Sequence, residues 1–183
     1  MSEKLLIAHC APTLANLKTA SLFSFVCDEE ECLRAHLDAW NAELNPKGVY
    51  AISLRLWDGR ALIYVYRKRQ LSQLLQRPGV VQFLRRYGYA DPDADVCLCR
   101  LRERMNAQAE FPHEIGVFLD YPLDDVIGFI ENGGRNYKCA GCWKVYGDAD
   151  AARARFDQLA RCRAIYARMF QSGMTIMQLT VAV

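Results

Sequence analysis

The chain has few of the residues from which ready-made active sites are built. Histidine occurs only three times in 183 residues, and His113-Glu114 lacks the second histidine that would complete a zinc-protease helix. There is no glycine-rich phosphate loop, no Rossmann fingerprint and no nucleophile elbow; Gly133-Gly134 reads as a helix stop. Long apolar runs are missing as well. None approaches the roughly 18 residues that span a bilayer. The opening Met1-Ser2-Glu3, followed by a short apolar run from Leu5 to Ala8, is not a secretion signal. These absences predict a cytoplasmic protein with no membrane partner. In that compartment its eight cysteines, irregularly spaced, are reduced thiols or metal ligands.

What is present fits one domain, 1–183, with ample length for a core and 52% hydrophobic residues. The net charge of +2 hides a bias along the chain: residues 55–104 carry 11 basic and 5 acidic side chains. Such a basic block is either a nucleic-acid or phosphate face or a solvated arginine-rich surface.

Ser2 can cap a helix over Glu3–His9, and Pro12 suits the first turn of a second one. Ala20–Val26 reads as a strand. Asp28 with Glu31 forms a capping box for a helix whose Leu33, Leu37, Trp40 and Leu44 share a face. Asp58-Gly59, between Val49–Trp57 and Arg60–Tyr66, is the residue pair that a two-residue hairpin turn requires. That turn predicts the pairs Trp57–Arg60, Leu56–Ala61, Leu54–Ile63 and Ile52–Val65. The other face, with Arg55, Trp57, Leu62, Tyr64 and Tyr66, either meets a ligand or partner or is covered by the helix that follows. Helices are predicted at 78–87, 93–109 and 149–171, and a strand at 140–146. The class is α+β: a small, mostly antiparallel sheet (hairpin 49–66 plus strands near 20–26 and 140–146) covered by helices, including an αα-corner at 112–131.

That corner has helix-turn-helix spacing, but its second helix offers Asp124, Asp125 and Glu131 and no cation. DNA binding through 113–131 is therefore not expected, and the acids are assigned to the helix dipole. Cys139-Ala140-Gly141-Cys142 is the sharpest chemical signal. It precedes a strand rather than a helix, so the thioredoxin arrangement is missing, and structural zinc needs four ligands. Neither Cys97 with Cys99, pointing apart on a helix, nor Cys32 with His36 supplies an evident second pair. Strand alternation sets Cys142, Lys144 and Tyr146 on one face. His9-Cys10-Ala11-Pro12-Thr13 is the second candidate: with Pro12 opening a helix, Cys10 precedes a helix N-terminus beside an imidazole. Thr13 and Lys18 can join such an anion pocket. A buried turn is the alternative.

The segments HCAPTLANLKTASLF at 9–23, HEIGVFLDYPLDDVIGFI at 113–130 and NYKCAGCWKVYG at 136–147 resemble an uncharacterised bacterial family, domain of unknown function 3793, over nearly the whole chain. The resemblance implies a small cytoplasmic protein of largely anaerobic bacteria, sometimes encoded near flavodoxin-like or iron-transport proteins. It carries over no catalytic residue. Asp120 stands where relatives usually have glycine, and Cys142 where many have an aromatic residue.

Three functions remain in contention. The first is a small-molecule-binding or redox-linked protein, with a small molecule or a redox protein as partner and enzymatic activity left open. Its pocket would lie between the His9–Thr13 turn and the 113–146 segment. His9 or Cys10 would be its reactive group, Thr13, Lys18, Lys144 and Tyr146 its ligand contacts, and Cys139 and Cys142 a redox or metal pair. The second is an adaptor that binds nucleic acid or protein through the 55–104 block. The third is a zinc-stabilised structural protein. No cofactor is required by the sequence, which admits zinc or a redox cofactor.

Overall fold

The fold is organised around β3, the middle strand of a three-stranded antiparallel sheet, seen here in a computed structural model that describes residues 2–27, 29–107 and 111–182. β1 (Ala20–Val26) and β2 (Val49–Trp57) flank β3 (Arg60–Arg67). Asp58 and Gly59 both take positive φ, 42° and 69°, the backbone of a type I′ turn. The turn fixes Trp57 opposite Arg60 and Leu56 opposite Ala61 as expected, but the pairing then shifts at a bulge between Ser53 and Arg55. Ser53 faces Ile63 and Ala51 faces Val65, replacing the expected Leu54–Ile63 and Ile52–Val65 pairs. The bulge is held from outside the strand. Arg102 donates from Nε and Nη2 to the Ser53 carbonyl at 3.1 and 2.6 Å, and Asn106 donates to the Leu54 carbonyl at 3.1 Å.

Both faces of the sheet are covered, so β3 is buried from Ala61 to Arg67. On one face Leu54, Leu62, Tyr64 and Tyr66 pack under α3 (Lys68–Leu75), α4 (Pro78–Arg85) and α5 (Ala94–Ala107), with α6 (Ile115–Phe118) and α7 (Leu123–Glu131) beside them. The Arg/aromatic side of the hairpin is thus covered, in part by the helix that follows it. On the other face Val49, Ala51, Ile63 and Val65 meet α1 (Ser2–Leu14) and α2 (Glu30–Leu44), joined by α8 (Ala149–Gln171) and α9 (Ile176–Leu179). The arrangement is α+β. The Ser2 side chain and Asp28, to which two helix caps were assigned, lie outside the described residues, as do 108 and 109 at the end of the predicted 93–109 helix.

Two local expectations give way. Pro12 lies inside α1 rather than opening a second helix. Its missing N–H falls to the side of exposed Ala8, where water can satisfy the carbonyl. The 140–146 run is not a strand of the main sheet. β4 (Cys139–Ala140) and β5 (Lys144–Val145) form a hairpin of their own, closed by Gly141 N–H donating to the Trp143 carbonyl at 3.0 Å.

Candidate functional site

The corner between α6 and α7 turns at Asp120, which takes φ +61°, a left-handed conformation that glycine adopts freely and aspartate tolerates. Its carboxylate accepts from the Thr19 hydroxyl at 3.0 Å, and the Phe118 carbonyl accepts from the buried Tyr64 hydroxyl at 2.6 Å. The corner is therefore pinned to β3 and to the residue just before β1. At Gly116 a Cβ would lie 2.8 Å from Val126, so the two short helices meet through a glycine.

Asp125 fixes the β4–β5 hairpin onto this corner. Its buried carboxylate accepts from Trp143 Nε1, Tyr146 N–H and Gly147 N–H, each at 2.7 Å. The acid assigned to the helix dipole thus has a specific second task. Trp143 stacks on Tyr121 at 5.0 Å and meets Phe156 of α8 edge-on at 4.6 Å.

Two adjoining chambers result. The first, about 400 Å³, is apolar and aromatic, with Leu22, Leu119, Tyr121, Val126, Phe129 and Trp143 in its wall. The second, about 450 Å³, takes the same Leu22, Leu119 and Tyr121 and adds His9, Lys18, Ser21, Cys142 and Arg163. The hairpin tip divides them: Gly141 and Trp143 line the first chamber, and Cys142 between them lines the second.

In the polar chamber Arg163 donates from both terminal nitrogens to Cys142 Sγ, at 3.8 and 3.7 Å. Lys18, half-buried, holds its Nζ 5.0 Å from the centre of the Tyr121 ring. Burial lowers Lys18 to about 8, and the nearby Arg163 adds to the shift, against the upward pull of Cys142 and Asp120. His9 is exposed and lies flat on Phe23, with ring centres 5.1 Å apart.

Of the residues singled out from the sequence, His9, Lys18 and Cys142 meet in this chamber, while Lys144 lines the apolar one. Lys144 Nζ donates to the Gly134 carbonyl at 2.7 Å and lies 4.9 Å from the Tyr137 ring centre. Cys10 and Thr13 line neither chamber. Cys10 is fully buried inside α1, not poised before a helix N-terminus, and burial pushes its thiol far up. Thr13 hydrogen-bonds Ser21 between hydroxyls at 2.9 Å. Tyr146 packs over Gly128 instead of sharing a face with Cys142 and Lys144, because the segment turns back at Gly141.

The cysteines do not assemble a metal centre. Cys97 is buried and Cys99 exposed, and Cys32 reaches His36 Nδ1 at 3.6 Å. Among the described residues no three His, Cys, Asp or Glu side chains are grouped to hold an ion. The four-ligand site of a zinc-stabilised protein therefore has no donor set there. Nor is any helix among them long and apolar enough to cross a membrane.

Sequence reasoning missed Arg163, Tyr121 and Trp143. Arg163 follows Cys162 of the apolar stripe on α8 and looks like any flanking arginine. The Gly128-Phe129-Ile130-Glu131 run of α7 likewise gives no hint that Phe129 walls a cavity. No curated protein and no solved structure matches the chain. The family described as "Protein of unknown function (DUF3793)" matches residues 6–180, and the chain belongs to that family.

Proposed function

We propose that this protein binds a small amphipathic anion, with its apolar or aromatic body in the chamber walled by Phe129 and Trp143 and its acidic head at Lys18 and Arg163. One observation carries the reading: an aromatic chamber and a cationic chamber share the wall formed by Leu22, Leu119 and Tyr121. Apolar lining with a few convergent polar groups is the usual character of a small-molecule site. Here the polar groups are two cations of different chemistry, a guanidinium fork and a compact ammonium. His9 would stand at the rim. No disulfide joins the cysteines among the described residues, which fits a reducing cytoplasm as the setting.

Anilinonaphthalene sulfonate, an aromatic anion, tests the reading by its fluorescence on binding. It is expected to bind one-to-one, and Arg163→Gln to weaken it roughly tenfold, the size of one charge-assisted hydrogen bond. Ala140→Trp, placing bulk in the exposed wall of the apolar chamber, is expected to block it. Equal binding of the neutral N-phenylnaphthylamine, or an affinity indifferent to both substitutions, would show that the two chambers do not act as one site.

A further inference from the structure

Lysines that a fold holds away from water normally have a partner. Half-buried Lys144 donates to the Gly134 carbonyl, and even the exposed Lys68 and Lys138 are engaged, by Asp95 at 2.8 Å and by the Gly147 carbonyl at 2.7 Å. Lys18 is different. It is half-buried in a cavity wall, yet its side chain makes no ion pair and no hydrogen bond among the described residues. A neighbouring carboxylate, Asp120, is engaged by Thr19. Its other neighbours are the face of Tyr121, the Arg163 guanidinium, the Cys142 thiol on the cavity wall, and the buried Cys10 behind it. An amine that is desolvated, next to a second cation and open to a cavity has the surroundings that turn lysine into a nucleophile.

We propose that Lys18 forms an imine with an aldehyde or ketone that carries an anionic group. This rests on the reading of the cleft as an amphipathic-anion site and narrows it to carbonyl compounds. Arg163 takes the anionic group, the apolar chamber takes the body, and the carbonyl carbon lies at Lys18 Nζ. In the step, the neutral amine adds its electron pair to the carbonyl carbon, and the C–O π bond passes to oxygen, which takes a proton. The carbinolamine then loses that oxygen as water as the C=N bond forms, with protons exchanged with solvent in the open cleft. Nothing is oxidised or reduced, and no co-reactant is needed. With Lys18 lowered to about 8, roughly a quarter of it is neutral at pH 7.5, against about one part in a thousand for an ordinary lysine near 10.4.

The test uses 4-carboxybenzaldehyde with cyanoborohydride at pH 7.5, read by intact mass and peptide mapping on the full chain. A secondary amine on Lys18 is expected to form at least tenfold faster than on Lys4, Lys47 or Lys138. It should be absent in Lys18→Arg, which keeps the charge and so guards against a folding artefact. Arg163→Gln should slow 4-carboxybenzaldehyde severalfold more than uncharged benzaldehyde, which feels only the weaker activation of Lys18 once the second cation is gone. Labelling spread evenly over the lysines, or an unlabelled Lys18 in protein that still binds anilinonaphthalene sulfonate, overturns the imine and leaves the binding reading standing. Loss of sulfonate binding to the unsubstituted protein overturns both.

Discussion

At the scale of single residues, holding the Lys18 ammonium away from water costs the folded chain free energy that the unfolded chain avoids. Folding lowers this group to about 8, while the unfolded chain leaves it near 10.4. Below about pH 8 both states are protonated and the full penalty applies. Between about 8 and 10.4 the unfolded state holds the extra proton, so stability rises with pH there. Lys18→Met is therefore expected to stabilise the protein by about 2 kcal/mol at pH 7, and the gain should shrink steadily above pH 8. Urea denaturation of both proteins across that range checks it, and a gain independent of pH would contradict the assignment. Anion affinity in the cleft should run the other way, falling as pH rises through 8. Lys18, singled out from the sequence beside the His9–Thr13 segment, does lie in the wall of the polar chamber with His9. Cys10 is buried because α1 runs on through Pro12, which the sequence alone presents as a helix start. Arg163 was invisible, since its role depends on a hairpin tip 21 residues earlier in the chain.

At the scale of elements, the β4–β5 hairpin has little of its own to hold it, with two residues in each strand. Asp125 supplies the missing anchorage with three hydrogen bonds from a buried carboxylate. Packing completes it: a Cβ at Gly141 would come within 2.3 Å of the Phe156 ring, and one at Gly128 within 2.5 Å of Tyr146. Asp125→Ala leaves the Trp143 indole and two backbone N–H groups without that acceptor. A loss of about 3 kcal/mol is expected, since bonds to charged groups contribute roughly 1.5–3 kcal/mol each and partial rehydration recovers some of it. Faster amide exchange at Tyr146 and Gly147 should accompany it. Protection unchanged at those two amides would mean that the hairpin is held by packing alone. The contrast with the main hairpin shows what a sequence reveals about elements. Asp58-Gly59 specifies its turn locally, whereas the bulge five residues back is set by Arg102 and Asn106 from α5. The 140–146 run reads as one strand but turns back on itself at Gly141, where the ring of Phe156 from a distant helix leaves no room for a side chain.

Across the whole molecule, five of the eleven basic side chains in residues 55–104 make hydrogen bonds or ion pairs within the protein. Arg67 is buried and donates to the Thr13, Leu14 and Val181 carbonyls, tying the end of α1 to the C-terminal tail. Arg102 holds the bulge, Lys68 and Arg100 pair with Asp95 and Glu103, and Arg104 pairs with Glu114. The exposed remainder, such as Arg60, Arg77 and Arg86, is scattered over the hairpin turn and the ends of α4. The Arg104–Glu114 pair has the widest reach. It joins α5, which braces the sheet, to the entry of the corner that walls the cleft. Glu114 is buried and also accepts from the Tyr89 hydroxyl at 3.2 Å. Removing only the cation strands a carboxylate in the core, whereas removing both charges does not. Arg104→Met is expected to cost about 3 kcal/mol and to loosen the corner enough to weaken sulfonate binding in the cleft. Adding Glu114→Gln should restore more than half of the stability, because the amide keeps an acceptor for Tyr89 without a charge. A double-mutant cycle in urea, with sulfonate binding measured on the same four proteins, gives both quantities. Additive losses would mean that the two residues act separately, and the corner would then owe its position to Tyr64 and Thr19 alone.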